Sequence, residues 1–177
     1  DGCLAVCDLG TDTLAFYDKA LKLISESKVP SGYGIRHLVF SKDGNYIYAV
    51  NELVPSVSVF LYKKGKAEFI NTVEIDCKSE KANGAAIRLS NDGKFLYVSL
   101  REENVICAFK VNGDSLTLLQ TADCGGDSPR DFDLVNDKII EKLASTKNPQ
   151  KIIGICSFKK NDYQLWKKIL LLDNIND

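Results

Sequence analysis

The chain has 177 residues, 45% of them hydrophobic and 27% charged, with 23 basic side chains against 24 acidic ones. A net charge of −1 offers no basic face to nucleic acid and no cationic patch to a membrane surface. No uninterrupted apolar run approaches the ~20 residues that span a bilayer.

Read from its first residue, the chain falls into units that begin on Asp-Gly turns. The first unit, 1–30, opens on Asp1-Gly2, enters an apolar strand carrying Cys3 and Cys7, and returns through a second alternating strand. The second unit, 31–79, is predicted to hold four strands, a at 36–41, b at 45–51, c at 56–62 and d at 68–75, with Asp43-Gly44 between a and b. The third, 80–126, repeats the scheme with a run from Asn83 to Ser90, the Asp92-Gly93 turn and a last strand near Leu116 to Thr121. A degenerate fourth unit, 127–177, has a strand-a match at Asp131 to Val135, Asn136-Asp137 as its turn, and later strands at 152–158 and 165–172. Its second strand is weak, because Ile139 to Ala144 lacks alternation, and a helix over 137–145 competes there.

Period-two alternation, β-branched and aromatic enrichment and closely spaced Gly/Asn/Asp turns all predict antiparallel strands. The second and third turns are 49 residues apart and the first lies 42 residues before the second. That period, with four strands per unit, predicts an all-β fold, a β-propeller of four-stranded antiparallel blades. About three and a half blades are counted, the first starting at its a–b turn. Propellers close with four to eight blades. The expectation is therefore a partial chain, an incomplete ring or half of an assembly completed by dimerisation. The absence of methionine also suggests that Asp1 is not the biological start.

The six cysteines include no C-x-x-C pair and mostly sit inside apolar or alternating strands. Small buried hydrophobes in a reducing compartment are the expected reading, with neither a metal site nor a cofactor.

Strand direction places the polar candidates. The start of a strand a lies beside the end of its strand b, so Arg36, His37, Asn51 and Glu52 share one end of the second unit. Arg101 ends strand b of the third unit, and Arg130 and Asp131 start strand a of the fourth. All fall at one mouth of the expected central channel. Arg88 lies on strand a of the third unit, read as one residue off the Arg36 register. Arginines at a concave mouth point to an anionic small molecule, through the bidentate guanidinium fork. His37 suits a proton shuttle and Glu52 a base or an orienting group. The bland alternative is a structural histidine with arginines bonded to neighbouring carbonyls, on a non-catalytic propeller that binds a partner.

At Gly34-Ile-Arg36-His37-Leu-Val-Phe-Ser-Lys-Asp43-Gly44, Tyr48-Ala-Val-Asn51-Glu52-Leu53, Leu89-Ser-Asn-Asp92-Gly93-Lys-Phe-Leu-Tyr97-Val-Ser and Ser128-Pro129-Arg130-Asp-Phe132, the chain resembles the lactonase family of seven-bladed propellers. This is the 6-phosphogluconolactonase and carboxymuconate-cyclase-like group. The resemblance covers most of residues 1–135 and, more faintly, 136–172. It implies metal-free hydrolysis of 6-phosphogluconolactone, a small anionic lactone, in the cytoplasmic pentose phosphate route. Carried over by position, it implies His37 and Glu52 as acid/base residues and Arg36, Arg101 and Arg130 as anion binders. Taken with strand placement, the expected site has His37, Glu52 and Arg101 as catalytic residues and Arg36, Asn51, Arg88 and Arg130 as substrate-binding ones.

Overall fold

The computed structural model describes residues 2–124 and 128–134. Eleven strands fill the described part, in three antiparallel sheets. The first sheet orders β1 (Leu4–Asp8), β2 (Thr13–Tyr17) and β3 (Leu23–Lys28). The second orders β4 (Ile35–Phe40), β5 (Tyr46–Asn51), β6 (Ser56–Lys63) and β7 (Lys66–Glu74). The third orders β8 (Asn83–Leu89), β9 (Phe95–Arg101), β10 (Val105–Asn112) and β11 (Ser115–Asp123). The fold is all-β, and each sheet is a blade or part of a blade of a propeller. In the second sheet every observed strand boundary lies within two residues of its prediction.

The repeated turn has one chemistry. Ser41 Oγ donates to Asp43 Oδ1 at 2.6 Å and accepts from the Tyr46 N–H at 2.8 Å, while Gly44 takes φ +73°. One blade on, Ser90 Oγ donates to Asp92 Oδ1 at 2.7 Å and accepts from Phe95 N–H at 3.0 Å, with Gly93 at +78°. The serine, aspartate and glycine satisfy the turn's backbone locally, and only glycine adopts that φ freely. Ser-x-Asp-Gly thus encodes each a–b hairpin.

The middle sheet is covered on both faces, which is why β5 is apolar at both parities. Ile47 and Ala49 pack with Leu14 and Phe16 of the first sheet, whereas Tyr48 and Val50 pack with Leu96, Val98 and Leu100 of the third. Full burial of such side chains contributes roughly 1.5–3 kcal/mol each. One blade alone leaves these faces wet, so the stacking is what stabilises it.

Loop residues also tie the first sheet to the second and the third sheet to the 128–134 segment. Asp12, at φ +56°, accepts the N–H groups of Gly32 at 2.7 Å and Gly34 at 2.6 Å. Asn104, at φ +58° and in the equivalent position of the third sheet, accepts the Ser128 N–H at 2.7 Å.

Residues 128–134 carry no strand pairing among the described residues, and the partner expected for a strand a at 131–135 lies outside them. The Asp131 and Asp133 carboxylates accept the N–H groups of Phe132 and Leu134, both at 2.9 Å. Phe132 is nevertheless buried against Ala86, Tyr97 and Ile106. The remaining expectations for the fourth unit lie outside the described residues. No helix among the described residues is long and apolar enough to cross a membrane.

Candidate functional site

The candidate site forms where the second and third blades meet, at the a-start and b-end of each. Glu52 follows β5 and is anchored through its backbone on both sides. Its N–H donates to Gly34 O at 2.8 Å and its carbonyl accepts from Gly84 N–H at 3.1 Å. Gly84 is required there, since a Cβ would lie 2.0 Å from Asn51 O. That close approach brings the end of β9, where Arg101 pairs with Asn83, against Glu52.

Arg36 reaches the same carboxylate by a backbone irregularity. Register runs from Ile35 opposite Asn51 to His37 opposite Val50, leaving Arg36 as an extra residue in β4. Such a bulge re-aims the side chain it carries. Arg36 Nε lies 2.9 Å from Glu52 Oε2, and its Nη1 donates to Ala85 O at 2.6 Å. Arg101 Nη2 donates to Glu52 Oε1 at 2.5 Å, and Arg101 is only 9% exposed. Two arginines from adjacent blades therefore hold one glutamate. Arg101 Nε is buried with no hydrogen-bond partner among the described residues.

A second group adjoins the first. Arg88 Nη2 donates to Asp131 Oδ1 at 2.6 Å, and Arg88 Nη1 lies 3.5 Å from His37 Nε2. His37 is half-buried, and that burial is the main cause that pushes its pKa below the ordinary value. Arg88 and Arg36 push it the same way, and Asp131 opposes them. Near neutral pH His37 is therefore a neutral imidazole, able both to donate and to accept.

The expected residues separate on this geometry. Arg36, His37, Glu52, Arg88 and Arg101 come together. Asn51 does not join them, being fully buried, with Nδ2 donating to Ser56 Oγ at 2.9 Å and Ser58 Oγ at 2.8 Å. Arg130 is exposed beside Asp131. Arg88 is three positions from the Arg36 register rather than one. It pairs with Tyr97 as Val39 pairs with Tyr48, so the counterpart of Arg36 is Ala85. The 49-residue offset between the two Asp-Gly turns gives the same correspondence. Sequence reasoning also missed Gly84 and Asp133, the latter 3.7 Å from Arg88 Nε. A glycine where the preceding blade has Ile35 was the available signal for the first.

Among the described residues no group of three or more His, Cys, Asp or Glu side chains could hold a metal ion. Burial pushes the Cys7 thiol up to about 12 and the Cys107 thiol up to about 11, so both stay protonated near neutral pH and neither is an activated nucleophile.

Comparison with known proteins agrees with the propeller fold. A family profile described as "Lactonase, 7-bladed beta-propeller" matches residues 1–145. An uncharacterized protein of Staphylococcus aureus (strain USA300) is 38% identical over 179 residues, covering 97% of this chain and 51% of the relative. An uncharacterized Lactococcus lactis protein is 36% identical over 142 residues, covering 75% of this chain and 42% of the relative. The chain thus spans about half the length of these curated relatives or less. A solved Lactobacillus plantarum protein matches with TM-score 0.72 and 40% identity over 77% of this chain and 43% of its own. The periplasmic gluconolactonase of Pseudomonas aeruginosa matches with TM-score 0.67 and 30% identity over 73% of this chain and 40% of its own. A Bacteroides fragilis protein provisionally named a 6-phosphogluconolactonase matches with TM-score 0.67 and 31% identity, over 76% and 42% respectively. The chain belongs to the lactonase family of seven-bladed β-propellers.

Proposed function

We propose that the protein carrying this chain hydrolyses a sugar lactone, with a phosphorylated lactone of the 6-phosphogluconolactone type as its substrate. The observation that carries this reading is the convergence of Arg36 and Arg101 on Glu52 beside the half-buried His37, at the junction of two blades. Lactone hydrolysis needs a water activated, the carbonyl oxyanion stabilised and the substrate's anionic group held at a distance. His37 and Glu52 supply the acid/base groups and Arg101 stands beside them to stabilise charge. Arg36, Arg88 and the exposed Arg130 supply the cations for the anionic end. The Pseudomonas and Bacteroides neighbours, which carry lactonase names, support the lactone class. On this reading the reaction belongs to the cytoplasmic pentose phosphate route.

The test compares hydrolysis of 6-phosphogluconolactone and of unphosphorylated gluconolactone, above the spontaneous rate, for wild type, His37→Ala and Arg130→Ala. His37→Ala should lose on the order of 10²-fold in kcat/KM. Arg130→Ala should weaken only the phosphorylated substrate. Wild-type rates in both variants overturn the site assignment.

A second reading has its own observation. Arg36 and Arg101 are both engaged by Glu52, and Arg88 is engaged by Asp131, so three of the four arginines already hold carboxylates. A non-catalytic blade junction that binds a partner fits that pairing. Wild type that hydrolyses neither lactone above the spontaneous rate favours this second reading.

A further inference from the structure

Arg88 is held by several partners at once. Its Nη2 donates to Asp131 Oδ1 at 2.6 Å, its Nη1 donates to the Ile87 carbonyl at 3.0 Å, and its Nε lies 3.7 Å from Asp133 Oδ1. The guanidinium carbon stands 5.8 Å from the Phe132 ring centroid, within cation–π range. Phe132 is itself buried, so the ring beneath the guanidinium is held by its packing. Held this way, Arg88 presents Nη1 to His37 Nε2 at 3.5 Å.

A guanidinium has five N–H donors, no acceptor, and a charge it does not give up in a protein. The nitrogen facing it must therefore offer a lone pair. At His37 that leaves Nε2 unprotonated, and the proton of the neutral ring sits on Nδ1. A proton on Nε2 would set N–H against N–H at this distance, beside a fixed positive charge.

We propose that Arg88, clamped by Asp131, is a positioning residue that locks His37 as the Nδ1–H tautomer, so that His37 serves a lactone oxygen as a hydrogen-bond donor rather than a water as an Nε2 base. The donor role rests on the lactone reading above, whereas the tautomer does not. The charged groups facing His37 are Arg88 from β8, Asp131 from the 128–134 segment and Arg36 from its own strand, while β5 presents Val50 opposite. Burial and the two arginines outweigh Asp131 and keep the ring neutral. A neutral donor aimed at an oxygen that gains charge contributes about 10²–10³ in rate.

His37 is the one histidine of the 177 residues, so its imidazole 15N signals in this chain need no assignment. Wild type should show the Nδ1–H form at pH 7 and a titration midpoint below the ordinary value of 6.5. Arg88→Gln should raise the midpoint and shift the population toward Nε2–H. Arg88→Lys should keep the midpoint low and keep the Nδ1–H form, because an ammonium is likewise charged and carries donors only. An Nε2–H ring in wild type, or Arg88→Gln behaving as wild type, overturns the proposal; amide dispersion in Arg88→Lys checks the fold independently. The donor role is read by kinetics, since Asn at position 37 places an amide N–H near the Nδ1 position. His37→Asn should stay within about tenfold of wild type in kcat/KM while His37→Ala loses on the order of 10²-fold. Equal losses in both overturn the donor role while leaving the tautomer standing. Wild-type rates in both overturn the lactone site itself.

Discussion

Arg101 and Glu52 meet across the joint between two blades, with Nη2 of one 2.5 Å from Oε1 of the other. Arg36 closes on the second carboxylate oxygen at 2.9 Å. The pair therefore joins packing to chemistry, since the same contact that binds the third sheet to the second also fixes the charges of the candidate site.

Glu52→Gln tests that joint. Glutamine keeps one acceptor oxygen and turns an amide N–H toward the other guanidinium, leaving an arginine facing a donor. Glu52 is 21% exposed in its side chain, so solvent offsets part of the loss. A destabilisation of about 1–3 kcal/mol is expected, below the 3–5 kcal/mol of a fully buried pair. Chemical denaturation should show a lower midpoint at an unchanged m-value. An unshifted midpoint would show that the joint does not depend on this ion pair.

Gly84→Ala should be more damaging than its single methyl suggests. The added Cβ falls 2.0 Å from Asn51 O and 2.6 Å from a Val50 methyl, so β8 must retreat from the end of β5. Overpacking of this kind costs about 1–3 kcal/mol, and here a backbone atom rather than a flexible side chain must give way. The retreat separates Glu52 from Arg101, so stability and activity should fall together. Loss of stability with full retention of activity would uncouple blade contact from the site.

Acid should loosen the a–b turns. Asp92 is held down to about 2, first by the Ser90 hydroxyl and then by the Lys94 N–H. Asp43 is lowered by the Ser41 hydroxyl and by Asn45. Both folded pKa values lie below the unfolded value of about 3.9, so these carboxylates stabilise the fold fully above about pH 4. For Asp92 the contribution disappears as pH falls toward about 2. A melting-temperature profile over that window should be flatter in Asp92→Asn than in wild type, and parallel profiles would refute the assignment.

Much of this fold was legible because its signals are local. Ser-x-Asp-Gly satisfies a turn with its own side chains, and alternation at both parities in β5 announces a sheet covered on both faces. The less legible features depend on pairing between strands. The bulge at Arg36 shifts one strand by a residue against its partner, and no count along one chain segment shows it. Asn51 was expected beside Glu52 as a substrate-binding residue, but its Nδ2 donates to Ser56 and Ser58 across the β5–β6 pair.

Asp12 gives the last prediction. Its carboxylate takes two N–H groups of the following blade's entry loop, and its pKa is lowered chiefly by the Gly32 and Gly34 N–H bonds. Asp12→Ala removes both acceptors and places a β-carbon residue at φ +56° without a side chain that favours it. The expected loss is about 1–2 kcal/mol by chemical denaturation, with faster hydrogen exchange at Gly32 and Gly34. Asp12→Asn should cost far less, because Asn104 makes the same kind of contact at φ +58° one blade pair later. An Asn variant as unstable as the Ala variant would mean that charge, rather than the acceptor and the left-handed backbone, holds the first blade to the second.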